Sequence, residues 1–250
     1  MDLKGKVCLV TGATRGIGAA TAIRLARAGA DIAIQGRDAQ SDAAREVRSA
    51  IEALGRRCHA IAADMARPAD ATRSVEETVG TLGTIDVLVH AAGAAAMGSL
   101  LQVSEEVWYH AFNVHVHAVF HLCRAAVPHM IPKKEGAIVL ISSTAGARGI
   151  LGALAYGVVK GALPQFARVL ARELADHNIR VNCVSPGVIR TRFQDYLTEA
   201  QVRNNVENRI PLHREGTTDQ VAQVIELLAT NDFMTGEDIV IDGGLTMRIA

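Results

Sequence analysis

Seven short apolar runs alternate with longer stretches of helical periodicity along nearly the whole chain, and this rhythm limits the fold more than any other feature. The runs fall at residues 6–11, 30–35, 58–63, 85–90, 136–142, 179–185 and 238–242. None alternates cleanly between apolar and polar positions, so each reads as a strand covered on both faces. Between them, residues 16–28, 39–54, 69–82, 105–128, 154–177 and 218–229 read as helices. A β-α-β-α order leads to a doubly wound parallel sheet, because right-handed crossovers place helices on both faces. No low-complexity linker or shift in composition divides the 250 residues, so they read as one domain.

Composition excludes several classes. The 26 basic residues balance 26 acidic ones, so nothing attracts phosphate backbones and no nucleic-acid partner is expected. Hydrophobic residues make up 49%, too many for a disordered chain. Residues 1–6 lack the apolar core of a secretory signal. No apolar run reaches the roughly 18 residues of a membrane span. Cys8, Cys58, Cys123 and Cys183 form no CxxC pair, which suits reduced cysteines in a cytoplasmic protein.

In such a sheet, ligands bind outside the carboxyl ends of the strands. The first strand runs into Thr11-Gly12-Ala13-Thr14-Arg15-Gly16-Ile17-Gly18 and then a helix. Gly12 permits a tight turn, Gly16 lets backbone approach a pyrophosphate, and Gly18 allows close helix–strand packing. The helix start offers free N–H groups to phosphates. The GxxxGxG spacing departs from the common GxGxxG, so its placement at the first strand–helix turn carries the reading.

Tyr156 and Lys160 are four apart and share one helical face, in a chain with only three tyrosines. A phenol with an ordinary pKa of about 10 is a poor acid or base at neutral pH, and a neighbouring ammonium favours the phenolate. That makes the tyrosine a usable general acid/base. Ser143, thirteen residues before Tyr156, ends the fifth apolar run in a small polar turn. A surface lysine beside a packing tyrosine does not account for that serine.

Together these residues resemble the short-chain dehydrogenase/reductase family over nearly the whole chain. The resemblance rests on the TGxxxGIG turn, the set Ser143, Tyr156 and Lys160, the stretch Ser185-Pro186-Gly187-Val188-Ile189-Arg190-Thr191, and the closing Val240-Ile241-Asp242-Gly243-Gly244. It implies an α/β fold, a single Rossmann-type doubly wound parallel sheet with helices on both faces. It also implies hydride transfer between a nicotinamide and a carbonyl or alcohol. Tyr156 would exchange the hydroxyl proton, Lys160 would lower its pKa and bind the nicotinamide ribose, and Ser143 would orient the substrate oxygen. Pro186, Gly187, Val188, Ile189 and Thr191 would line the nicotinamide. Asp64, followed by Met65, matches the residue that contacts adenine, and Ala92 and Gly93 lie beside the adenine ribose.

Two departures stand out. The family carries Asn-Asn-Ala-Gly where this chain has His90-Ala91-Ala92-Gly93, so the amides that tie neighbouring strands are missing. The family also places an Asn seven residues after a Trp, where it holds a water behind the lysine. Seven after Trp108 is His115, with Asn113 on the wrong side of the helix. A neutral histidine has one donor and one acceptor, so His115 either substitutes in the relay or weakens it. His117 and His121 have metal-ligand spacing but no third ligand by pattern, so no metal is expected and a subunit interface is preferred.

The second strand ends in Gly36-Arg37 where a reader of the free ribose hydroxyl of NAD has an acid. Arg37 and Arg15 suit a 2′-phosphate, so NADP(H) is preferred, with NAD(H) not excluded. Asp38 is expected to cap the next helix. Specificity is assigned to a substrate lid at about 190–212, with apolar contacts from Phe193, Tyr196, Leu197 and Ile210 and surface charges on Arg192, Arg203 and Arg209. The substrate is a small molecule or an acyl thioester. A 3-oxoacyl-thioester reductase leads, a sugar or small secondary-alcohol dehydrogenase is the alternative, and a non-catalytic nucleotide sensor is the reading from another class. A homo-tetramer is expected from the resemblance, from the broad apolar faces of helices 105–128 and 154–177, and from the apolar end 243–250. Pro164 falls inside the second of these helices, where a kink is expected.

Overall fold

In the computed structural model, which describes residues 1–191 and 197–247, every apolar run becomes a strand of one parallel sheet. The strands are β1 (Val7–Thr11), β2 (Asp31–Gly36), β3 (Cys58–Ala62), β4 (Val87–His90), β5 (Gly136–Ile141), β6 (Ile179–Pro186) and β7 (Asp238–Ile241). Their order is β3-β2-β1-β4-β5-β6-β7, and each pairing is parallel. The order reverses between β1 and β4, which opens a crevice at their carboxyl ends. There Thr11 pairs with His90.

The missing alternation has the expected cause. All residues of β1, β5 and β6 are buried, while the edge strand β7 is only partly covered. One face packs on α1 (Gly16–Arg27), α2 (Asp42–Glu52) and α9 (Thr218–Thr230) through Leu25, Ile51 and Ile225. The other packs on α3 (Pro68–Leu82), α5 (Ala118–Met130) and α7 (Leu154–Leu174) through Val75, Leu122 and Leu163.

The differences from expectation are local. The helix expected over 105–128 is α4 (Glu105–Phe112), a π-helical turn (Asn113–His117) and then α5. Such single wide turns cluster at functional sites, and this one holds His115. Ser41, not Asp38, caps α2 by accepting from the Ala44 amide at 3.3 Å. The Asp38 carboxylate instead closes the preceding turn on the Gln40 amide at 2.8 Å. Two short helices were not foreseen, α6 (Thr144–Ala147) and α8 (Glu199–Asn204). A Thr198–Gln201 capping box starts α8. Arg192, Phe193 and Tyr196, and the chain end from Arg248, lie outside the described residues. Helix α7 runs unbroken through Pro164.

Candidate active site

A cleft of about 1850 Å³ lies at the carboxyl ends of the strands, and the catalytic and cofactor-binding residues expected from the sequence line it. Gly12 and Gly16 both have left-handed backbones, φ +62° and +59°. A side chain at Gly12 would meet Ala92 Cα at 2.7 Å, and one at Gly18 would overlap the Gly12 carbonyl. The turn therefore depends on glycine for close approach to the β4 loop and to helix α1. No side chain caps α1 and no acid occupies its first turn, so its leading N–H groups and positive dipole end face the cleft. Gln35, which the sequence reading missed, braces this turn: its side chain accepts from the Gly12 amide at 3.1 Å and donates to the Ala63 carbonyl at 2.6 Å. A polar residue inside an apolar strand was the available signal.

Thr14, Arg15 and Ile17 of the turn share the cleft wall with Arg37. A side chain at Gly36 would overlap Thr14 Cγ2, so an acid at this strand end would have to displace the Thr14 side chain. Asp64 and Met65 follow β3 on the same wall. The Asp64 carboxylate accepts from the Ala66 amide at 3.0 Å, holding the loop after β3.

At the end of β4 the missing family amides are replaced. The Thr11 hydroxyl accepts from the amides of Ala91 and Ala92, each at 3.2 Å. His90 Nε2 lies 3.1 Å from the Val114 carbonyl and Nδ1 lies 2.9 Å from the Thr11 hydroxyl. A carbonyl only accepts, so Nε2 carries the proton and Nδ1 accepts from Thr11. Burial, then the charge of Lys160, pushes His90 down to about 3. The strands at this point are tied by a neutral imidazole.

His115 is also buried. Its Nε2 lies 3.1 Å from the Ala94 carbonyl, while Nδ1 has no partner among the described residues. The Ala94 amide also points at Nε2, at 3.4 Å. Burial, then Lys160, holds the pKa well below the ordinary value, so the ring is neutral and has one donor and one acceptor nitrogen. Gly93 makes this fit possible, since any side chain there would overlap the imidazole. Asn113 lies on the outer side, with Oδ1 2.9 Å from His117 Nδ1.

The candidate reactive groups come from the turn after β5 and from α7. Ser143 caps α6, its hydroxyl accepting from the Ala145 amide at 3.1 Å. The hydroxyl's own proton is left for a cleft acceptor. Tyr156 and Lys160 lie one turn apart on α7, with Lys160 Nζ 5.6 Å from the Tyr156 ring centre. The His115 ring meets Tyr156 edge-on at 6.0 Å. Lys160 Nζ donates to the Ile141 carbonyl at 2.7 Å, and burial pushes its pKa down to about 7.

Pro186 at the end of β6, with Gly187, Val188 and Ile189 after it, forms the far wall. Gly187 packs on Asp242, where a side chain would approach Cβ to 2.7 Å. The Asp242 carboxylate binds the Gly244 amide and both the amide and hydroxyl of Thr246. Thr191 lies opposite the glycine turn, its Cγ2 3.7 Å from where a side chain on Gly16 would begin. Leu197 lines the cleft, while Ile210 is buried against Gly243 and does not line it. Arg209, expected as a surface charge, also lines the cleft and donates to Asn205 Oδ1 at 2.6 Å. Among the described residues no group of three His, Cys, Asp or Glu could hold a metal ion.

A doubly wound sheet with a glycine turn and a Ser–Tyr–Lys set at one cleft defines a Rossmann-type oxidoreductase. The chain belongs to the short-chain dehydrogenase/reductase family. A family described as enoyl-(acyl carrier protein) reductase matches residues 12–246. The chain is 38% identical over 249 residues to the 3-oxoacyl-(acyl-carrier-protein) reductase FabG of Thermotoga maritima, covering 99% of this chain and 100% of that one. It is 38% identical over 253 residues to tropinone reductase-like 3 of Erythroxylum coca, covering 98% and 95%. Among solved structures, a blue fluorescent protein from a metagenomic library in complex with NADPH superposes with a TM-score of 0.91 at 36% identity, covering 98% and 99%.

Proposed function

We propose that this oxidoreductase uses NADP(H) to reduce a ketone, with a 3-oxoacyl thioester as the substrate class. The observation that carries the reading is the convergence of Ser143, Tyr156 and Lys160 on a cleft whose other end is the uncapped start of α1. The residues fit a dinucleotide: free N–H groups for its phosphates, glycines where its backbone contacts are close, and Arg15 and Arg37 for a 2′-phosphate. The crowding of Gly36 by Thr14 and the NADPH bound to the similar metagenomic protein support the same cofactor. When bound, the nicotinamide supplies the carbon that gives or takes the hydride.

The chain's own residues do the rest. Ser143 Oγ donates to the substrate oxygen and holds it beside Tyr156. The Tyr156 hydroxyl gives its proton to that oxygen in reduction and takes it back in oxidation. Lys160, poised near neutrality by burial, stabilises the phenolate and contacts the ribose. His115, with its open Nδ1, hydrogen-bonds a water behind Lys160 and takes the place of the family's asparagine. Residues 1–250 act as one domain, and about 190–212 serve as the substrate lid.

The FabG similarity favours an acyl thioester. The equal identity to a tropinone reductase-like protein keeps a small cyclic ketone or secondary alcohol as the second reading. No helix among the described residues is long and apolar enough to cross a membrane. A panel of acetoacetyl-CoA, tropinone and simple sugars, followed by nicotinamide absorbance with NADPH and NADH, tests the proposal. Acetoacetyl-CoA turnover with NADPH is expected. Turnover of sugars alone, or with NADH alone, overturns it.

A further inference from the structure

Lys160 is held at both ends by consecutive residues of the β5 terminus. Its Nζ donates to the Ile141 carbonyl at 2.7 Å. Its own carbonyl accepts from the Ser142 hydroxyl at 2.8 Å, in a buried contact. The next residue, Ser143, presents its hydroxyl to the cleft. In an α-helix the Lys160 carbonyl would be taken by the N–H of residue 164. Residue 164 is proline, which has no N–H, and α7 nevertheless continues through it. The proline therefore frees one particular carbonyl in the middle of the helix, and that carbonyl belongs to the lysine of the site.

We propose that Pro164 and Ser142 act as a pair that positions Lys160. The proline withdraws the helical donor, and the serine hydroxyl takes the released carbonyl, fixing α7 in register with the end of β5. Close packing makes the reach short. A side chain at Gly146 would meet the Lys160 carbonyl carbon and the Gly161 amide nitrogen at 2.6 Å, so the first turn after Ser143 lies directly on the α7 backbone. A mid-helix proline thus serves as a docking point. Pro164 does not line the cleft, and the Ser142 hydroxyl, though Ser142 borders it, is given to the Lys160 carbonyl, so both act through Lys160. The inference rests on the reading of Lys160 as the lysine that contacts the cofactor.

The test is a double-mutant cycle on the full chain: parent, Ser142→Ala, Pro164→Ala and the double variant, with Lys160→Met beside them. NADPH is the probe, titrated by its own fluorescence from pH 6 to 9, with thermal midpoints recorded for each protein. Ser142→Ala is expected to weaken NADPH binding by about tenfold in the parent and by less than about threefold when Pro164→Ala has restored a helical donor. Its affinity should also fall off at lower pH than in the parent, because the Nζ–Ile141 bond that favours the ammonium loosens. Equal losses in both backgrounds would overturn the pairing. A lowered thermal midpoint with unchanged affinity and unchanged pH dependence would make the bond merely structural. Should Ser142→Ala not fold, Ser142→Cys keeps the size with a weaker donor and is expected to fall between. If Lys160→Met itself leaves NADPH binding intact, the assignment of Lys160 fails. If Lys160→Met weakens binding and Ser142→Ala does not, only the pairing fails.

Discussion

His90 Nδ1 and the Thr11 hydroxyl lie 2.9 Å apart across β4 and β1, and the pair works only while the imidazole is neutral. The other ring nitrogen is committed to the Val114 carbonyl, so a second proton would have to sit on Nδ1 and break the bond from Thr11. Burial holds the folded pKa at about 3 against an ordinary 6.5. The folded pKa is depressed, so the unfolded chain binds the proton first as pH falls. The stabilisation is complete above pH 6.5 and is lost progressively toward 3. His90 alone should cost about 2 kcal/mol between pH 7 and 5. His115, shifted the same way, adds to the loss. Urea unfolding at both pH values checks this. His90→Asn, which restores an amide, should flatten the dependence, and an unchanged slope would rule His90 out as its source.

What the sequence made legible depends on local chemistry. The strands show as apolar runs because parallel strands buried on both faces need them. Gly12 to Gly18 and the Tyr156–Lys160 spacing show because turn and helix geometry fix them within a few residues. The rest depends on partners distant in sequence. That His90 ties β4 to β1 requires knowing that Thr11 faces it. Gln35 gains its role only when β1 and β3 flank it. The wide turn at Asn113–His117 follows from packing, since nothing in NVHVH marks an extra residue. Pro164 read as a kink because its freed carbonyl could not be matched to Ser142, twenty-two positions away.

Tyr156→Phe keeps the ring against His115 and Lys160 and removes only the phenolic proton. That proton is needed in the transition state and not for binding. Turnover should fall by roughly 10²–10⁴-fold, the usual worth of a general acid, while the NADPH dissociation constant changes by no more than a few fold. Near-full activity on a ketone that the parent reduces would show that another group delivers the proton.

Gly93→Ala should disable the cofactor site sterically. The added carbon would overlap the buried His115 ring, so the ring would have to shift toward the cleft it lines. NADPH binding is expected to weaken by about tenfold or more, with a loss of roughly 1–3 kcal/mol in stability, the usual cost of overpacking. Combining it with His115→Ala removes the obstacle and should recover most of the stability. Additive losses in the double variant would place the strain elsewhere.

Arg37→Asp should move cofactor preference from NADP(H) toward NAD(H). Arg37 is exposed at the cleft edge, so screening by salt limits its contribution and the shift should be about 10- to 100-fold at low ionic strength. The new carboxylate repels a 2′-phosphate and can accept from a free ribose hydroxyl. It does not reach the position that Thr14 crowds at Gly36, so affinity for NADH should rise less than affinity for NADPH falls. Dissociation constants for both cofactors decide it. An unchanged ratio would assign the phosphate to Arg15 alone.

The proposed homo-tetramer rests on apolar surface that one chain leaves uncovered. Tyr109 and Phe120 are 60% and 46% exposed on the helix pair α4–α5, and Val158 and Val169 are 43% and 49% exposed on α7. These helices cover the β4–β6 side of the sheet with their inner faces, so the exposed residues point away from the chain's own core. Exposed large apolar side chains on neighbouring helices fit a subunit contact. Light scattering at micromolar concentration should give a particle of about four chains. Phe120→Glu buries a charge in that contact and should reduce the particle to a smaller species while leaving the NADPH site, on the opposite end of α7 from Val169, intact. A parent protein that scatters as a monomer would leave Tyr109 and Phe120 without the partner proposed for them.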